Sequence, residues 1–549
     1  MKFYFLYIVM LFSFTGFSQT PTVGLLQHDA GTLDEGYVLF SPIANTSTYL
    51  IDKCGRELHS WQSSYKPGQS VYLDSLGHLI RSANVSNPFF IAGGQGGRIE
   101  KYDWNNNLLW HYAVSDSMQC QHHDIKPMKN GHILVILWER KSVSEAIQAG
   151  RNPNLLGPSL WSEKVMELKP LGNDSAEIVW EWHVWDHLVQ RFDSTKQNYG
   201  LIAQHPELIN LNFNGSNNED WLHFNAIDYH ETLDQILLSN HNFSEIMIID
   251  HSTTTAEAAS HTGGNSGKGG DILWRWGNPM AYNQGTLANK QLFSQHSPHW
   301  IPSELPHGGD IMIFNNGNSR PSGDYSTIDI IHPPVDVNGN YSTSLPYLPA
   351  TYFWRYQDSI PTDFYSKNIS GAQQLANGNV LICNGFYGEF FEIDSTMHQV
   401  WHYRNPVAST IYTQGSSTIV QNNVFRSTFY PSDYAGFAGQ TLQAGNPIEL
   451  NPYPVNCMLT GLNENVNSEY PILLYPNPTM TSITVSLPSG LLGDDLSLQL
   501  VDVLGRVIDE QSIAGQQTLI DLTNFQTGLY FITIIKNDIM VGREKINKQ

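Results

Sequence analysis

The sequence predicts an all-β protein: a six-bladed β-propeller followed by a small C-terminal β-sandwich. Three observations predict it. An apolar strand, an Asn, Asp or Gly turn and a second apolar strand recur as HHDIKPMKNGHILVI, HFNAIDYHETLDQILLSNH, QHSPHWIPSELPHGGDIMIFNNG and GAQQLANGNVLICNG. A second unit alternates with it, a strand ending at or near Asp and a strand ending in Trp, as in STYLIDKCGRELHSW, GRIEKYDWNNNLLWHY and GEFFEIDSTMHQVWHYRNP. Together they make four short strands, the repeat of a propeller blade. Beyond Cys457 both units stop, and alternating apolar residues between turn signals indicate a small antiparallel sandwich.

Residues 1–19, with Lys2, an apolar stretch and a small or polar exit around Ser18, read as a secretory signal peptide. The propeller follows over 20–460. Its strand-turn-strand halves begin near Ser70, His122, His223, His296, Gln373 and Ser416. The first Trp-ending half precedes all of these, so residues 36–61 are expected to complete the blade begun at 416–427, leaving no long free edge. Gly-, Asn-, Ser- and Pro-rich insertions at 142–160, 186–218, 253–270, 278–294 and 333–350 are expected to rim one mouth of the channel. A polar linker, 461–469, leads to the sandwich over 470–549.

The 549 residues, 41% hydrophobic and 12% aromatic, suffice for a sizeable core. A net charge of -22 with no Lys/Arg stripe argues against nucleic acid as a partner. No segment after the leader is long and apolar enough for a transmembrane helix. Cys54, Cys120, Cys383 and Cys457 show no zinc spacing; after export they are compatible with disulfides or with isolated thiols.

Histidine recurs at the starts of inner strands: His122 and His123, His223, His296 and His299. First strands of all blades line the channel, so these imidazoles are expected to meet. Imidazole titrates near pH 6.5, which suits it to proton transfer and nucleophilic attack. Arg320, after the FNNGNS turn, adds a forked cation suited to a tetrahedral oxyanion, and Arg426 is a further candidate for the anion site. Trp221, Phe224 and Trp300 are candidates for stacking on an aromatic ligand. The same histidines could instead hold a metal, but only Asp124 and Asp228 are near in sequence, and neither a metal nor an organic cofactor is expected.

DWLHFNAIDY, QHSPHW, DIMIFNNGNSR and GAQQLANGNVLIC resemble the aryl-sulfate sulfotransferase family over about residues 30–455. The resemblance implies a six-bladed propeller that moves a sulfuryl group from an aryl sulfate to a phenol without a nucleotide donor. Position by position it implies that His223, His296 and Arg320 are site residues; the repeat phase itself adds His123 as a further catalytic candidate and His122, His299, Gln373 and Arg426 as substrate-binding candidates. The family's nucleophilic histidine belongs to the next inner strand, where this chain has Gln373 and Gln374. Another channel histidine, His123, His223 or His296, would then have to act as nucleophile, or the chain would carry out a different anionic-ester reaction, or it would be a non-catalytic propeller that binds a sulfated or glycan ligand. The Tyr475-Pro-Asn-Pro, Asp502-Val-Leu-Gly-Arg, Asp521-Leu and Gly528-Leu-Tyr-Phe motifs resemble the C-terminal sorting domain of type IX secretion cargo. That resemblance implies engagement of the type IX machinery, passage through the periplasm, and a secreted or outer-membrane-surface location.

Overall fold

The computed structural model describes residues 20–215, 217–453, 457, 472–488, 491, 496–502, 507–513, 515–536 and 539–549. The expected signal peptide and the 461–469 linker lie outside them. The chain divides into two compact units, one of residues 1–28 and 32–453, the other of 29–31 and 454–549.

The first unit contains six antiparallel blades, five of four strands and one of five, and a two-stranded parallel sheet of Leu188–Val189 and Ile209–Asn210. Blade 1 is Pro67–Leu73, Leu79–Asn84, Gly97–Tyr102 and Leu108–Ala113, and blade 2 is Gln119–Pro127, Ile133–Lys141, Leu160–Leu171 and Ser175–His183. Blade 3 is Phe224–His230, Gln235–Asn240, Glu245–Asp250 and Trp274–Trp276, and blade 4 is His296–Trp300, Ile311–Asn315, Thr327–Ile331 and Trp354–Tyr356. Blade 5 is Gly371–Gln374, Val380–Asn384, Glu389–Ile393 and Gln399–Arg404, with Gly24–His28 paired on its outer edge. Blade 6 joins Val424–Pro431 to Gly36–Pro42, Ser47–Asp52 and Glu57–Gln62. The six innermost strands pack in sequence, and that of blade 6 returns to blade 1, which closes the ring.

The recurring Trp has a physical reason. Its indole N–H reaches the turn between the third and fourth strands of the next blade and donates to a backbone carbonyl there. Trp61 donates to Asp103 (2.9 Å), Trp110 to Ser175 (2.7 Å), Trp182 to Gly270 (2.7 Å), Trp276 to Pro349 (2.7 Å) and Trp401 to Lys53 (2.6 Å). A buried indole needs a partner for its one donor, and these carbonyls supply it.

Two expectations change in detail. Residues 416–427 do not form a strand-turn-strand half: the C-terminal part gives blade 6 only Val424–Pro431, and the N-terminal part gives the other three strands. The insertions do not share one mouth either. Residues 253–270 and 333–350 join third to fourth strands, at the end away from the channel histidines, and lap over the outer strand of the preceding blade. Trp180 bonds Thr253 (3.1 Å), and Trp274 bonds the Leu348 carbonyl (2.9 Å).

Cys120 and Cys383 are free and buried. The second unit is a β-sandwich. Leu473–Tyr475, Ser482–Ser486 and Gln517–Asp521 form one sheet, and Val507–Ser512, Leu496–Asp502, Gly528–Lys536 and Ile539–Lys548 form the other. Ile483, Val485, Leu498, Leu500, Ile520, Ile532 and Ile546 fill its core.

Replacing Trp110 by Phe removes one indole bond and leaves the Ser175 carbonyl without its donor. Urea unfolding is expected to show a loss of about 1–3 kcal/mol, against about 3–5 kcal/mol for Trp110→Ala, which also opens a cavity. A Phe variant as stable as the parent would show that the indole bond contributes nothing.

Candidate functional site

Several inner strands break their ladder near the same end. Pairing registers shift between Pro67 and Val71, around 122–124, at Asn225 and between His296 and His299. Left-handed residues mark these bulges and the starts of inner strands: Gln69 (φ 109°), His123 (48°), His223 (56°), Ser297 (53°), Ile369 (52°) and Ser370 (90°). A bulge re-aims a side chain that would otherwise follow the pleat. Three blades thereby bring imidazoles together. The rings of His123 and His223 have centroids 4.5 Å apart, His223 and His241 5.2 Å, and His241 and His296 5.3 Å.

His223 forms a dyad with Asp220, whose Oδ2 lies 2.5 Å from Nδ1. The other carboxylate oxygen accepts the Trp138 indole N–H at 3.1 Å. With Nδ1–H held by the carboxylate, the Nε2 lone pair of His223 is left bare. This ring keeps 17% of its side chain exposed, whereas His122, His123 and His296 are buried.

Beside it runs a chain of three groups. Oε2 of the fully buried Glu163 is 2.8 Å from His122 Nε2, and His122 Nδ1 is 2.8 Å from His123 Nδ1. Trp138 stacks flat on His122, 4.0 Å between centroids, so one indole orients both constellations. Burial and the nearby Asp220 push Glu163 well above the usual carboxylate range, and burial followed by the neighbouring histidines holds His122 and His123 well below theirs. The favoured state is uncharged throughout: Glu163 carries a proton toward His122, His122 Nδ1–H donates to His123 Nδ1, and His123 presents Nε2–H. Loss of that proton lets the chain shift by one place, leaving Glu163 ionised. Glu163 Oε1 accepts the Phe224 amide at 2.9 Å, which leaves Oε2 to carry the proton.

His296 is differently placed. Asn316 donates its amide N–H groups to the carbonyls of Ser366 and Ile369, so its oxygen accepts His296 Nδ1–H at 2.8 Å. His296 Nε2 accepts the Ile369 amide at 3.1 Å. Both ring nitrogens are therefore engaged by the fold. His241 donates Nδ1–H to Asn242 Oδ1 (2.9 Å) and keeps Nε2 bare; burial, with His223 adding to it, lowers it to about 4.

Arg320 is buried in blade 4. Its guanidinium bonds Thr327 Oγ1 (2.9 Å) and the Tyr325 carbonyl (3.3 Å) and lies 5.2 Å from the centre of the Phe293 ring. Lys290 lies over the same ring at 4.8 Å and near enough to His241 to depress it. Asp329, whose charge opposes the effect of burial on Arg320, is held by a two-pronged bond from Arg355 (2.6 and 2.8 Å). Neither Lys290 nor Arg320 has an ion-pair partner among the described residues, and burial lowers both. A half-buried Lys290 cation close to the bare Nε2 ring of His241 suits an anionic ligand.

The remaining candidates are drawn into the fold. Arg426 is paired with Asp124 (2.9 Å) and bonds Tyr72 (2.7 Å), joining blade 6 to blades 1 and 2 around the channel. His299 donates to the Ser297 carbonyl (3.0 Å) beside Asp228, which is paired with Lys126 (2.6 Å). Gln373 bonds both the carbonyl (3.0 Å) and the amide (2.8 Å) of Phe429, stitching blade 5 to blade 6. In blade 5 Gln373 lies inside a regular ladder, opposite Leu381. Trp221, Phe224 and Trp300 are core residues, so stacking on a ligand is not open to them. None of the channel histidines belongs to a group with metal-ligand spacing among the described residues. Sequence reasoning missed Glu163, Asp220 and Lys290. Asp220 had a signal, since it lies three residues before His223 within DWLH.

Residues 71–414 match the Arylsulfotransferase (ASST) family. The chain belongs to that family. Residues 473–548 match the secretion system C-terminal sorting domain, so this arylsulfotransferase-family protein is exported by the type IX route to the surface or beyond. No helix among the described residues is long and apolar enough to cross a membrane. No match is found among curated proteins. Similar solved structures include a protein of unknown function from Bacteroides caccae, at 10% identity and TM-score 0.38, covering 72% of this chain and 98% of that one. The β-propeller domain of Myceliophteria thermophila Cps50 (Swd1) follows at 9% and 0.35, covering 71% and 90%. Virginiamycin B lyase from Staphylococcus aureus stands at 8% and 0.31, covering 71% and 90%.

Gly94 backs the His123 ring so closely that a Cβ there would lie 1.9 Å from Cε1, and its φ is +84°. Gly94→Ala is expected to displace the ring and to cost about 1–3 kcal/mol, with the imidazole resonances of His122 and His123 shifted and the far-ultraviolet dichroism retained. Unshifted resonances would show that the ring does not rest on Gly94.

Proposed function

We propose that this exported protein transfers a sulfuryl group from an aryl sulfate to a phenolic acceptor, with His223 as nucleophile and His123 as acid and base. The observation that carries the reading is the pairing of two imidazoles with unlike partners: Asp220 lies against His223 Nδ1, which leaves Nε2 for attack, and Glu163 reaches His123 through His122, a route by which a proton can be supplied to it. Titratable neighbours pushed to opposite roles are the signature of an acid/base pair.

In the first half-reaction His223 Nε2 attacks sulfur, and the sulfur–aryl oxygen bond breaks with its electron pair on the phenolate. His123 gives that oxygen its proton, and the chain refills from His122 and Glu163. Asp220 offsets the positive charge developing on His223, and Lys290 and Arg320 are the cations available to the sulfuryl oxygens. In the second half-reaction an acceptor phenol attacks sulfur while its proton passes to His123, and the sulfur–nitrogen bond breaks with its pair returning to Nε2. Glu163 regains its proton, and the cycle closes without a cofactor. His296, with both nitrogens occupied, positions His241 and the Ile369 amide.

Incubating the chain with a chromogenic aryl sulfate, with and without a phenol, tests the reading. Release that depends on the phenol and falls at least about 1,000-fold in His223→Ala supports transfer. Binding without release would favour a non-catalytic sulfate-binding propeller. Glu163→Gln keeps a donor toward His122 but cannot yield a proton. It is expected to slow unactivated phenyl sulfate about 100-fold and to leave a nitrophenyl sulfate, whose phenolate departs unaided, nearly unchanged. Because His123 titrates well below its usual range, its neutral form persists in mild acid, and no loss of kcat/KM from its protonation is expected between neutrality and its ordinary pKa.

A further inference from the structure

We infer that His187, His261 and Asp271 form a divalent-metal site that ties the 253–270 insertion of blade 3 to the end of blade 2. The inference rests on where hydrogens can lie. His187, buried, stacks on Trp182 with 8° between the planes. Its Nε2 lies 2.8 Å from the Ala258 carbonyl oxygen. A carbonyl only accepts, so Nε2 must carry the hydrogen, and a neutral ring then has a bare Nδ1. That nitrogen is 2.8 Å from Asp271 Oδ1, which as a carboxylate oxygen also has no hydrogen to give. Two lone pairs facing each other at this distance repel unless a cation joins them. His261 Nδ1 approaches the same oxygen at 2.8 Å, so one carboxylate atom collects two imidazoles from separate segments.

The three ligand atoms lie within 4.8 Å of one another. Zinc bonds to imidazole and carboxylate are about 2.0–2.2 Å long, so ligand atoms 2.8 Å apart subtend nearly a right angle at the metal. That is the geometry of two imidazoles and one carboxylate on one face of a five- or six-coordinate ion. The His261 side chain is 61% exposed, which leaves the other positions open to water. Supporting contacts suit this use. The Ala258 carbonyl fixes the His187 tautomer, as outer partners of metal-bound histidines do. A Cβ on Gly270 would lie 2.6 Å from His187 Nε2, and the Gly270 carbonyl accepts the Trp182 indole N–H. Borderline divalent ions favour this donor set, with zinc the appropriate probe. The site shares no residue with the channel cluster.

The competing account places a second proton on His187 and makes it an ion-pair partner of Asp271. Zinc titrated calorimetrically into the untagged, chelator-stripped full chain separates the two. Uptake of about one zinc per chain with a raised unfolding temperature is expected, and both effects should disappear in His261→Ala, whose exposed ring is dispensable to the core. No uptake by the parent, or equal uptake by His261→Ala, would overturn the inference.

Discussion

The bond from an outer-strand indole to a carbonyl of the next blade is the constraint on which the rest of this molecule depends. A propeller blade has one neighbour on each side, and apolar packing between blades sets their contact without a directional bond. By reaching from Trp61, Trp110, Trp182, Trp276 and Trp401 to the following blade, the indoles set that rotation at five of six junctions. Ring closure then needs the sixth blade to be made from both ends of the unit, as Val424–Pro431 beside Gly36–Pro42 shows.

Once rotation is fixed, the starts of the inner strands face one another, and the bulges decide what they present. Left-handed backbone at His123 and His223 turns their rings together, and Trp138 serves both by stacking on His122 and bonding Asp220. A change at one junction would alter distances between imidazoles carried by different blades. Stability and site geometry are therefore coupled through the same indoles.

Much of the fold was legible because its determinants are periodic. All six Trp-ending halves and five of six inner hairpins lie where the repeat puts them, while the last differs because Ser416 to Gln421 lacks the apolar alternation of a strand. The site was legible only where it shares the repeat. His122, His123, His223 and His296 lie at repeat phase, and the structure brings them together. Glu163 was invisible, because an acid on a third strand reads as solvent-facing until the adjacent blade covers it. Lys290 belongs to an aperiodic insertion.

The central claim is that His223, not a histidine of blade 5, carries the sulfuryl group. Mixing the full chain with an aryl sulfate in the absence of acceptor, quenching in alkali to preserve an N-sulfated imidazole, and mapping the label by peptide mass spectrometry tests it most directly. The account predicts sulfuryl mass on the peptide containing His223, discharged when phenol is added before the quench. Label on His123 or His296, or acceptor-dependent turnover with no labelled histidine, would contradict it.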